Sequence, residues 1–255
     1  MEMTLDKLSP EQVALYDADL VDERGMEIIY SSINRHFPDG RFSFLDVGGG
    51  NGVFADRILD RYPSSRATVI DSSELMINKN AARPRKNAVL CDAAEIVNRG
   101  EVFDLIFCNL VLHHLVTTGS YGRTKENVER VLAGFLGCLS ESGCISVYEM
   151  EFNGVIDDFP GHAVFALTSS KMLAPIVKRL GGNTAGVGAC FRSHRAWTKL
   201  FNGVGLDVVS RTRNGRCFPG GNIKRRILLV HDSGFVHYWL KPCHKHLCSE
   251  SGAGH

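Results

Sequence analysis

Apolar and polar positions along this chain fall into blocks whose period switches between two and 3.6, the mark of strands and helices in turn. Ser9-Pro10-Glu11-Gln12 supplies a capping serine, a first-turn proline and a glutamine three residues on, which predicts a helix to about Asp19. A second helix is predicted from Asp22 to about Phe37, ended by Pro38-Asp39-Gly40. Strand one then reads Phe42 to Val47, with a helix from Gly52 to about Tyr62 that Pro63 stops. Strand two is Ala67 to Asp71, with a helix from Ser73 to about Asn80; strand three is Ala88 to Cys91, with a short helical turn through Val97. Strand four runs Asp104 to Asn109. A long helix from about Lys125 to Leu139 carries Val128, Val131, Leu132, Phe135 and Leu139 on one stripe, and strand five is Cys144 to Glu149. Such alternation builds a doubly wound parallel sheet with helices on both faces.

The pattern changes after Glu151. Helical periodicity lies around Ala163–Leu180, followed by the glycine-rich stretch Gly181–Gly188. A helix is predicted near His194–Phe201 and a strand at Leu206–Arg211, and the last β segments fall in Arg226–Val230 and Phe235–Leu240. We expect one domain over residues 1–241, with cap helices in 1–40, an insert at 151–193 and a flexible tail at 242–255.

Composition narrows the class. A hydrophobic content of 44% and a charged content of 22% are ordinary for a globular domain. The formal net charge of +1 supports neither a general nucleic-acid binder nor an acidic solvating chain. No apolar run is long enough to span a bilayer, so no membrane partner is expected. Glu2, Asp6, Glu11, Asp17 and Asp19 leave no apolar leader core, so the expected location is cytoplasmic. The eight cysteines are spread along the chain and read as reduced thiols.

The chemistry centres on Asp46-Val47-Gly48-Gly49-Gly50-Asn51-Gly52, a glycine turn between strand one and its helix. Gly48, Gly50 and Gly52 let a ligand lie against bare backbone. Asp71, nineteen residues after Gly52, can accept both hydroxyls of a ribose or cap the next helix. At this point a nicotinamide-dinucleotide enzyme and a nucleoside-binding enzyme both fit.

Asp46-Val-Gly-Gly-Gly-Asn-Gly52, Val69-Ile70-Asp71-Ser72-Ser73, Cys91-Asp92-Ala93 and Phe103-Asp104-Leu-Ile-Phe-Cys-Asn109-Leu-Val-Leu-His113-His114-Leu115 occur in order. Together they resemble the class I S-adenosylmethionine (SAM)-dependent methyltransferases over about residues 40 to 150. The resemblance implies a Rossmann-like domain with a seven-stranded, mostly parallel sheet of order 3-2-1-4-5-7-6, its last strand antiparallel. It also implies that Asp46 and the glycines hold the methionine end. Asp71, with Ser72 beside it, would hold the ribose, and Asp92 the adenine amino group. Met76 or Ala93 would pack on the adenine ring, Asn109 and Leu110 would line the methyl-donor side, and Tyr16 is the candidate lid residue. An acid at the end of strand one suits an ammonium and a sulfonium and disfavours a pyrophosphate, which moves the reading from NAD to SAM.

For catalysis, His113 and His114 follow strand four and can take a proton or orient an acceptor. Adjacent helical residues diverge by about 100°, so one of the two is expected to face the cleft. Tyr148 and Glu149, with Glu151 just beyond, end strand five and are expected on the opposite wall. Lys171, Lys178, Arg179, Arg192 and Arg195 in the insert are compatible with a carboxylate-bearing acceptor, although solvated charge is the simpler expectation. The basic run from Arg211 to Arg226 reads as an exposed hairpin. Cys243-His244-Lys245-His246-Leu247-Cys248 matches no standard zinc spacing, so no metal is expected. The expectation is a small-molecule methyltransferase of specialised metabolism with no nucleic-acid partner; acceptor atom and oligomeric state stay open. The alternatives are a SAM-consuming cyclase or lyase that releases methylthioadenosine, and a SAM-binding subunit without catalysis.

Overall fold

The computed structural model describes residues 5–13, 21–215 and 226–243. Its centre is a seven-stranded sheet of order β3-β2-β1-β4-β5-β7-β6. The strands are β1 (Ser43–Val47), β2 (Arg66–Asp71), β3 (Lys86–Leu90), β4 (Phe103–Asn109), β5 (Leu139–Gly154), β6 (Leu206–Arg213) and β7 (Val230–Pro242). The first five pair in parallel, and β7 runs antiparallel to both β5 and β6.

Helices α1 (Pro10–Val13), α2 (Glu23–His36), α3 (Val53–Arg61), α4 (Glu74–Lys79), α5 (Tyr121–Leu136), α6 (Phe159–Ser169), α7 (Ala174–Arg179) and α8 (His194–Gly203) surround it. Alternate residues of each strand feed two apolar layers. One packs Val47, Ile106 and Val147 against Val131 and Phe135 of α5 and Trp197 and Phe201 of α8. The other packs Phe44, Val69 and Phe107 against Met26 and Ile29 of α2 and Phe54 and Ile58 of α3. Burial on both faces is what makes these strands read as near-continuous apolar runs.

Several boundaries differ from the sequence reading, each for a physical reason. Helix α5 starts at Tyr121, because Ser120 caps it by accepting from Arg123 N. The helical segments expected around Ala163–Leu180 are α6, which begins earlier at Phe159, and α7, with Pro175 in the first turn of α7, where a proline is tolerated and within a longer helix is not. Residues 226–227 are helical and 228–229 form a turn rather than a strand, with Leu229 at φ +51°.

Strand β5 runs to Gly154, so Glu151 belongs to the sheet and not to the insert. Its carboxylate is fully buried but held by Arg211 Nε at 2.7 Å, by Arg211 Nη2, and by the Tyr238 hydroxyl. Burial pushes the Glu151 carboxyl up, yet the Arg211 and Tyr238 hydrogen bonds outweigh it and hold it below its ordinary value. Arg213 pairs with Asp232, so two cations of the presumed hairpin are sheet ion pairs. Residues 216–225 of that run lie outside the described residues.

Removing the Glu151 carboxylate leaves Arg211 and Tyr238 without their partner. Glu151→Ala is expected to cost about 2–3 kcal/mol, discounted from a fully buried pair because Arg211 reaches solvent. Urea unfolding checks this. Because the folded pKa of Glu151 lies below its unfolded one, its contribution is complete above about pH 4.3 and is lost as pH falls through the folded value. The gap between wild type and variant should therefore narrow in acid.

Candidate functional site

A cleft of about 530 Å³ opens at the C-terminal ends of β1, β2, β3 and β4. It lies where the chain, having built β2 and β3 on one side of β1, returns to build β4 on the other. Asp46, Gly48, Gly50, Asp71, Ser72, Met76, Asp92, Ala93, Asn109 and Leu110 all line it. Gly52 does not; it precedes α3 at φ +78°, and a Cβ there would lie 2.5 Å from the Asn80 carboxamide. Gly48, at φ +64°, approaches the far wall so closely that a Cβ would meet Val111 Cγ2 at 2.6 Å. A side chain at either position would meet both strain and a clash.

Asp71 is the hinge of the cofactor half. Gly50 N–H donates to its Oδ2 at 3.1 Å, and Ser73 N–H donates to its Oδ1 at 2.8 Å. The same carboxylate therefore braces the glycine loop and the start of α4, while each oxygen keeps a further lone pair. Burial raises its pKa against the pull of these two N–H groups. Asp92 accepts Ala94 N–H on Oδ1 at 3.2 Å and faces Lys7 Nζ with Oδ2 at 3.6 Å.

The acceptor half is the turn after β4. Leu110 sits at φ +58°, a left-handed conformation costing a leucine roughly 1–3 kcal/mol, and its N–H donates to Tyr148 O at 2.7 Å. The Asn109 carboxamide Nδ2 and Oδ1 are both buried with no hydrogen-bond partner among the described residues. A buried amide left so is costly unless a ligand engages it. Together with the Asp46, Asp71 and Asp92 carboxylates and bare glycine backbone, it fits a cationic, hydroxyl-rich nucleoside such as SAM.

Of the histidines, His114 lines the cleft and His113 does not. Burial, and next the neighbouring His113, push the His114 pKa well below 6.5. His113 turns inward: its Nδ1 donates to Glu149 Oε2 at 2.8 Å, and its ring packs on Phe191 at 4.7 Å.

Tyr148 and Glu149 are not walls of the cleft. Both are fully buried, on opposite faces of β5, because successive strand residues alternate. Tyr148 lies under α2, stacked on Phe235 at 5.8 Å with its hydroxyl bonded to Asn214. Glu149 is consumed by His113 and by Met150 N–H at 3.2 Å. Of the insert cations, Arg192 is buried between the Tyr121 and Trp197 rings, whereas Lys171, Lys178, Arg179 and Arg195 are exposed.

The N-terminal cap expected over the site does roof it, through residues that the sequence reading did not name. Leu5, Asp6, Lys7, Leu8, Pro10 and Val13 line the cleft. Asp6 N–H donates to Val116 O at 3.1 Å, Thr118 N–H donates to Asp6 Oδ2 at 2.6 Å, and Gln12 Nε2 donates to Asn183 O at 2.7 Å. Ser9 and Gln12 do form the reciprocal cap, at 3.0 and 3.3 Å, but nothing local says where such a helix docks. Tyr16, the expected lid residue, lies outside the described residues. Among the described residues no helix is long and apolar enough to cross a membrane, and no three His, Cys, Asp or Glu side chains gather as for a metal. Of the Cys243–Cys248 cluster, Cys243 alone is described.

Comparison with known proteins agrees with this geometry. Residues 45–145 match the model of a methyltransferase domain. The chain is 35% identical over 125 residues to a malonyl-[acyl-carrier protein] O-methyltransferase of Geobacter sulfurreducens, covering 46% of this chain and 45% of the relative. It is 30% identical over 94 residues to malonyl-[acyl-carrier protein] O-methyltransferase 1 of Ilyobacter polytropus, covering 31% and 35%. The matches thus span less than half of either relative. The solved DhpI–SAH complex shares the fold at a TM-score of 0.58 and 14% identity, over 92% of this chain and 93% of the other.

Asp71→Ala is expected to weaken SAM binding roughly 10- to 100-fold, about 1–3 kcal/mol, by unpairing the ribose hydroxyls and loosening the glycine loop. Calorimetric titration with SAM decides it; an unchanged affinity would remove Asp71 from the ribose site.

Proposed function

We propose that this chain, which carries a methyltransferase domain over residues 45–145, is a class I SAM-dependent methyltransferase that methylates a carboxylate oxygen of a small acid. SAM supplies a methyl group already activated by its sulfonium charge. Asp46 with the glycine loop would hold the amino-acid end, Asp71 and Ser72 the ribose, and Asp92 the adenine amino group. Met76 and Ala93 would flank the ring, and the Asn109 carboxamide with Leu110 would border the reacting end. Fixing acceptor and methyl group in line is worth up to about 7–11 kcal/mol.

One observation carries the choice of acceptor. In the turn after β4, the titratable residue that lines the cleft is His114, and its depressed pKa makes it a poor base. His113, Tyr148 and Glu149 are turned away from it. A hydroxyl acceptor must lose a proton to something; a carboxylate arrives without one near neutral pH. Neutral His114 can donate one N–H to a carboxylate oxygen and so orient it. The malonyl group named in the two relatives carries a free carboxylate of this kind. The His113–Glu149 pair then acts by holding the turn, clamping the backbone on which Asn109 and His114 sit.

With malonyl-N-acetylcysteamine as acceptor, kcat is expected to stay flat between about pH 6 and 8, since carboxylates titrate near pH 4. His114→Ala should lower kcat/KM about 10- to 100-fold through one lost hydrogen bond. His113→Asn should leave the flat pH profile intact. A rate that climbs tenfold per pH unit and is abolished by His113→Asn would sink the reading and make His113 the base. Methylthioadenosine released from SAM without acceptor would favour the non-methylating alternative.

A further inference from the structure

The insert after β5 exposes apolar side chains that no element covers among the described residues. Met172 is 85% exposed, Ile176 58% and Leu180 62%, and α7 buries none of its residues. Phe159 and Leu167 of the neighbouring α6 are partly exposed as well. Lys171, Lys178 and Arg179 stand among these residues, and none has an ion-pair partner among the described residues. Isolated exposed apolar residues are unremarkable, but an apolar stripe edged by cations of one sign is the surface of a binding face.

The face adjoins the cleft. Gln12 of α1 bonds the insert at Asn183 O and Ala185 O, and Pro10 and Val13 of the same helix line the cleft. Glu11, held low by Ser9 and its own backbone N–H, also feels the charge of Lys178. A partner seated on α7 would stand at the rim through which an acceptor reaches His114.

Resting on the acid-methylating reading above, we propose that this face docks a small acidic carrier protein that presents the acceptor acid on a flexible arm. The cations complement an acidic partner, and the exposed side chains of Met172, Ile176 and Leu180 suit an apolar centre within it. A membrane surface fits less well. Interfacial anchors lay one long amphipathic face into the headgroups, whereas α7 has six residues and the stripe crosses a turn.

The test uses the full chain, an acidic acyl carrier protein loaded with a malonyl thioester, and untethered malonyl-N-acetylcysteamine. The triple variant Lys171→Glu, Lys178→Glu, Arg179→Glu is expected to raise KM for the carrier-borne acceptor by about tenfold or more. Its kcat, its KM for the untethered acceptor and its SAM affinity should not change. Met172→Ser with Ile176→Ser should act in the same direction. Equal effects on both acceptors, or none, overturn the proposal. Calorimetric titration of the unloaded carrier separates docking from chemistry. If wild type binds the carrier and the triple variant does not, docking stands even where neither malonyl probe is methylated, and the acceptor reading fails instead. Absence of wild-type binding to the carrier overturns docking, as does charge-dependent binding to phosphatidylserine vesicles in its place.

Discussion

The reversal of strand order at β1 is the constraint on which the rest of this protein depends. The chain lays β2 and β3 to one side of β1 and must then cross to the other side for β4. Helices α3 and α5 consequently leave from opposite faces of the sheet, and a crevice opens between their loops. Asp46, Asp71 and Asp92 end three neighbouring strands on one side of that crevice, and the Asn109–His114 turn forms the other. This crevice brings acids, bare glycine backbone and a strained turn together.

Burial then decides what each polar group in and around the crevice can do. Asp71 is half-buried and braced by two N–H donors, so its lone pairs are aimed before any ligand arrives. His114 is half-buried and loses basicity. Glu149 is buried deeper still and is tolerable because His113 donates to it. The same low-polarity surroundings thus leave a good hydrogen-bonding site and a weak proton acceptor, which is the basis for favouring an acceptor that is already an anion. The roof and the insert complete the enclosure: the segment around Lys7 reaches Asp92 on one side, and Gln12 grips the insert on the other.

The fold was largely legible in the sequence. Strands buried on both faces announce themselves as apolar runs, and Gly48, Asp71 and Asp92 sit at run ends where the spacing itself locates them. The errors fell where a local pattern has more than one tertiary solution. Glu151 reads as the start of a polar insert, because sequence shows a charge and not the Arg211 and Tyr238 groups that let it continue a buried strand. Tyr148 reads as a cleft residue by position, but strand alternation sends it under α2.

The sequence by itself determined the elements and the parallel sheet, because these follow from hydrophobic period and glycine stereochemistry, which are properties of short stretches; the acids of the cleft were marked by the resemblance of their motifs. Tertiary structure alone decided which of His113 and His114 meets the cleft, that Glu149 answers His113 across 36 positions, and which residues between Leu5 and Val13 line the site. The reason is physical. Burial and pairing of a polar group depend on atoms brought from distant parts of the chain, and no local pattern encodes which of two adjacent imidazoles those atoms will enclose.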